Sequence, residues 1–75
     1  MRLERLAKDE GSGKSGCPTV YVDEAGALVV QGDLVDSETF EQLENVLPGE
    51  SAVRIKPAVV AEALRRYGSR TGDEL

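Results

Sequence analysis

Seventy-five residues with 9 Lys and Arg against 14 Asp and Glu, no His and a single Cys make an acidic chain of formal net charge −5. That length allows one domain that buries only ~60% of the surface its unfolded chain exposes. It also has no pair of cysteines for a disulfide, no Cys/His set for a zinc-type metal site, and no surplus of Lys and Arg for a generic grip on nucleic-acid phosphates.

Met1 to Glu10 sets Leu3, Leu6 and Ala7 at helical spacing among alternating charges, a stretch too short to hold as an isolated helix. The alternating charges do not form a secretory signal, and no apolar run approaches the ~20 residues that a membrane span needs. The chain is therefore expected in the cytoplasm with Cys17 reduced. Gly11 to Gly16 reads Gly-Ser-Gly-Lys-Ser-Gly, the composition of a flexible spacer. Residues 1–16 are thus expected to be a flexible amino-terminal segment, 17–68 a single α+β domain and 69–75 a disordered tail.

Pro18–Val22 and Ala27–Gln31 are β-branched runs separated by Asp23-Glu24-Ala25-Gly26, which predicts a hairpin with Gly26 free to take a positive φ. The period of two puts Val20, Val22, Leu28 and Val30 on one face and Thr19, Tyr21, Val29 and Gln31 on the other. Asp36 or Ser37 is the expected N-cap of a helix over 37–47, with Phe40, Leu43, Val46 and Leu47 as its apolar stripe and Pro48-Gly49 ending it. Val53 and Ile55 alternate with Arg54 and Lys56, so 51–56 predicts a third strand. Pro57 then opens a helix over 58–67, with Val60, Ala63, Leu64 and Tyr67 toward the core, Glu62 placed to pair with Arg66 at i+4 in the favoured orientation, and Gly68 as C-cap. Phe40 and Leu64 are the expected core anchors.

This order, ββαβα, predicts a small three-stranded sheet with both helices on one face. The open face would carry Thr19, Tyr21, Val29, Gln31, Arg54 and Lys56.

The Gly-rich stretch matches Gly-x-Gly-x-x-Gly, but it lacks the preceding strand and following helix that would place a pyrophosphate. Read as the end of a Walker A loop it needs a glycine where Lys8 stands. No cofactor is expected. Cys17 has no His to act as its base, and it reads as a packed or inert thiol. The acids do not match a calcium loop. With no triad and no positioned acid–base pair, no catalytic residue is assigned and the chain reads as no enzyme.

What stands out is charge segregation. Asp23, Glu24, Asp33, Asp36, Glu38, Glu41, Glu44 and Glu50 fall in a stretch without one Lys or Arg, while Arg54 to Arg70 holds five basic residues and only Glu62. A block so free of cations points to a docking face for a basic protein. The candidate partner-binding residues are Asp36, Glu38, Glu41 and Glu44, with Tyr21 and Arg54 on the open sheet. Self-association through that open face is the competing reading, since a small core without disulfide or metal gains from association.

The run Cys17-Pro18-Thr19-Val20-Tyr21, then Asp23-Glu24, Gly26, Val29-Val30-Gln31-Gly32, Gly49-Glu50 and Val53-Arg54-Ile55, resembles a group of small actinobacterial proteins of uncharacterised function. These often accompany helix-turn-helix transcription regulators. The resemblance covers 17–67 and implies an accessory to such a regulator; it carries no catalytic residue to transfer.

Overall fold

The computed structural model describes residues 2–9 and 18–70. They form a small α+β fold in which β1 (Leu3–Lys8), β2 (Thr19–Asp23) and β3 (Leu28–Gln31) make an antiparallel sheet of order β1-β2-β3. A second, two-stranded sheet pairs β4 (Asp33–Leu34) with β5 (Val53–Arg54). The short helix α1 (Ser37–Phe40) lies between β4 and β5 in the chain, and α2 (Pro57–Arg70) ends the described residues.

The hairpin forms as the apolar alternation predicts. Val20 faces Val30, Val22 faces Leu28 and Tyr21 faces Val29. Its turn is set by Asp23, whose carboxylate accepts from the amides of Ala25 and Ala27, both at 2.9 Å. Gly26 completes the turn at φ +93°, a conformation that a Cβ would strain.

β1 replaces the flexible segment expected over its residues, and it is the true third strand of the sheet. Its register with β2 slips between Arg5, opposite Tyr21, and Ala7, opposite Val20, so that Leu6 is an extra residue. Such a bulge lets two neighbours on one strand oppose one on the other. Leu6 and Ala7 are consequently both buried. The same adjacency is why Leu3, Leu6 and Ala7 read as helical spacing: the bulge breaks the period of two. The expected spacer at 11–16 and Cys17 lie outside the described residues.

The core is Leu6, Ala7, Val20, Val22, Val59 and Ala63, with Ile55 and Tyr67 packed against it. Val22, only 1% exposed, contributes ~1.5–3 kcal/mol by burial alone. α2 packs on β1 and β2. It begins at Pro57, whose fixed φ and missing N–H suit a first helical position. Its buried stripe is Val59, Ala63 and Tyr67, one step round from the expected one: Val60 and Leu64 are exposed. Gly68 lies inside the helix rather than capping it. The last turn is held by Arg70, which donates to Glu4 at 3.0 Å and stands 6.0 Å over the Tyr67 ring.

The expected helix over 37–47 is one turn long. Asp36 caps it, its Oδ1 accepting from the Thr39 amide at 2.8 Å. The chain then tightens to i+3 bonds at Gln42 and Leu43 and turns through Asn45 at φ +56°. Helices this short depend on tertiary packing, and no residue of α1 is buried. Phe40 is half-buried and outside the core cluster. Among the described residues only α2 therefore covers the main sheet, and Val53–Arg54 pairs with β4 instead of joining that sheet. Arg54 and Lys56 are accordingly not part of its open face.

If β1 completes the core, Leu6→Ala should lower unfolding stability by about 2–5 kcal/mol. Leu64→Ala should stay within about 0.5 kcal/mol. Denaturant unfolding of both variants measures the contrast; the reverse order would restore the core predicted from the helical stripe.

Candidate functional site

The acidic residues that the sequence singles out fall on the excursion between the two strands of the small sheet. Asp36 is the N-cap of α1, Glu38 stands in its first turn and Glu41 is its C-cap. Glu44 follows in the irregular chain, and all four are exposed. The antiparallel pairing of β4 with β5 returns the chain to this segment. It puts Arg54 opposite Asp33 and within reach of α1. The Arg54 Nη2 donates to Thr39 Oγ1 at 2.9 Å and lies 3.9 Å from Asp36 Oδ2. Close approach is enforced at Gly32, where a Cβ would lie 2.8 Å from the Arg54 carbonyl oxygen.

Of the predicted partner-binding residues, then, Asp36 and Arg54 are brought together, with Glu38 and Glu41 on the same short element. Tyr21 is elsewhere, on β2, where its hydroxyl donates to Gln31 Oε1 at 2.7 Å. Hydrogen bonds from the Thr39 side chain and amide, helped by Arg54, hold the Asp36 carboxyl below its usual range. Glu50 accepts from the Leu47 amide at 3.1 Å. Among the described residues no Lys or Arg forms an ion pair with Glu38, Glu41 or Glu44.

Beside this acidic edge runs an open groove that sequence reasoning missed. Val35, Leu43, Val53 and Ile55 give it an apolar lining, with Asp33, Arg54 and Lys56 among its polar margin. The sequence pattern shows Leu43, Val53 and Ile55 as apolar positions, but it predicts them on the apolar stripe of a helix over 37–47 and on a third strand over 51–56. With α1 unwound after one turn, these side chains line a groove instead.

A second charged cluster lies along β1 and α2. Glu62 accepts from Arg66 Nε at 2.7 Å and from Arg65, the i+4 orientation the sequence predicts. A narrow cleft there is bordered by Arg5, Lys8, Glu62 and Arg66. The hydrogen bond from Arg65, then that from Arg66, lowers the Glu62 carboxyl from its usual range. Among the described residues there is no group of three or more side chains able to hold a metal ion, and no helix long and apolar enough to cross a membrane.

Searches against family models, curated proteins and solved structures found no match to this chain.

A carboxyl with a lowered folded pKa contributes stability above the ordinary carboxylate range and loses it as pH falls through the lowered value. Glu62→Gln should therefore unfold at lower temperature than the parent at neutral pH, with the gap closing on acidification. Thermal melts across acid pH check this; a gap independent of pH would remove the ion pair as its cause. Asp36→Ala should speed hydrogen exchange at the Thr39 amide, whose acceptor it deletes.

Proposed function

We propose that this chain is a non-catalytic, cytoplasmic protein-binding module that docks a basic protein surface. The resemblance in 17–67 favours a helix-turn-helix transcription regulator as the partner. The observation that carries the reading is the set Glu38, Glu41 and Glu44, exposed, without an ion pair among the described residues, on an element adjoining an apolar groove. Uncompensated rim charge raises the association rate of an oppositely charged partner. Apolar groups such as Val35, Leu43 and Val53 would supply the desolvated contact that holds it. Net charge −5 disfavours direct binding to nucleic acid, so the module acts on the regulator's protein surface and competes there with DNA phosphates.

Glu38→Lys together with Glu41→Lys should slow association with the regulator strongly and leave the fold intact, because rim charges act mainly on the on-rate. Raising ionic strength should weaken the parent complex steeply. Surface plasmon resonance of the parent and the variant against a helix-turn-helix regulator measures both. Unchanged association of the charge-reversed variant would take the acidic edge out of the mechanism.

A further inference from the structure

The two edges of the main sheet are built differently. β1 carries Glu4, Arg5 and Lys8 and a bulge, both features that discourage pairing with another chain. β3 reads Leu-Val-Val-Gln, has no charge, and pairs with β2 in unbroken register. The Asp23 amide donates to the Ala27 carbonyl at 2.9 Å, so that pair is a hydrogen-bonded one. Alternation along the ladder then turns Val29 toward β2 and points the N–H and C=O of Leu28 and Val30 outward.

The side chains repeat the asymmetry. α2 lies over β1 and β2, and Leu28 and Val30, on the same side of the sheet as buried Val22 and Val20, remain 42% and 44% exposed. One flank of α2 carries Glu62 and Arg66 toward β1. The other is marked by Tyr67, whose hydroxyl donates to Gly26 in the β2–β3 turn at 3.2 Å. Val60 and Leu64 lie farther round on that second flank at 100° per residue, and both are exposed. Edge strand and helix flank thus border one apolar strip beside a backbone edge that no strand among the described residues pairs.

We infer that β3 is a self-association edge whose occupant is β3 of a second copy of this chain, in antiparallel pairing about a two-fold axis at Val29. A second copy fits because the edge is complementary to itself. With Val29 opposite the second copy's Val29, Leu28 falls opposite Val30 in both directions. The outward backbone groups of those residues then meet as hydrogen-bonded pairs. Leu28 and Val30 of the two copies cover one another on the inner face, and the Val60 and Leu64 flanks of the two α2 helices approach across the join. The result is a continuous six-stranded sheet whose outer edges are the two guarded β1 strands. An isologous contact of this kind closes at the dimer. The acidic edge at α1 takes no part, so this inference stands or fails apart from the docking reading.

Sedimentation equilibrium of the purified chain tests it. The expected mass is twice that of one chain at high concentration and falls to one on dilution. Added salt should strengthen association, since two chains of charge −5 repel less when screened; docking through the acidic edge responds in the opposite sense. Val30→Lys should keep the circular dichroism of the parent and remain a single chain throughout. Val29→Cys in a Cys17→Ser background should oxidise to a covalent dimer, since non-hydrogen-bonded antiparallel pairs bring side chains closest. Leu3→Cys in the same background should not. A parent of one-chain mass at every concentration would overturn the inference. So would a Val30→Lys variant that associates like the parent, or Val29→Cys cross-linking no faster than Leu3→Cys.

Discussion

Everything in this fold depends on the pairing of Leu3–Lys8 with Thr19–Asp23. β2 alone offers α2 only Val20 and Val22 as buried apolar contacts; β1 adds Leu6 and Ala7, and together these four residues receive Val59 and Ala63. The bulge at Leu6 is what allows two adjacent residues of one strand to enter the same core. Ion pairing from Arg70 to Glu4 at 3.0 Å then ties the last turn of α2 to the same strand. Being partly exposed, that bond contributes modestly, and the apolar contacts dominate.

Centring α2 over β1 and β2 has a consequence on the opposite side. A single helix covers about two strands, so β3 and one flank of α2 are left with apolar groups facing solvent. The chain also turns away after Gly32 into the β4–β5 sheet and the α1 excursion, neither of which returns to cover β3. Large exposed side chains such as Leu28, Val30 and Leu64 are therefore a result of where the helix sits. Charge is distributed to match: acids collect on the excursion, mixed charges guard β1, and β3 has none.

The hairpin and the two faces of its strands were legible in the sequence, because the alternation of apolar residues and Gly26 in the turn point to one structure; its register and the bonds from Asp23 were not. The N-cap at Asp36, the start of α2 at Pro57 and the bond from Arg66 to Glu62 were legible for the same reason, since each rests on local chemistry. Local signals failed where tertiary packing decides. Leu3, Leu6 and Ala7 mimic a helix because a bulge is invisible without the partner strand. The stripe from Phe40 to Leu47 has helical spacing but no surface to dock on, so the helix stops after one turn. On α2, both Val59 and Val60 are plausible core positions, and only the location of β1 selects Val59. The acidic residues of the candidate site were readable one by one, whereas the groove beside them arises from the unwinding of α1.

An acidic edge beside an apolar groove and an uncharged strand edge give this small domain two surfaces of different chemistry, one electrostatic and one apolar. Both are positioned by the core that β1 completes. Native-state hydrogen exchange, read amide by amide, measures that dependence most directly. The account predicts that the β1 amides bonded to β2 exchange only through the same global opening as the amides of β2 itself, with equal free energies and equal denaturant dependence. Exchange of β1 at the rate of an unstructured peptide while β2 stays protected would contradict it, because the core would then hold without its first strand.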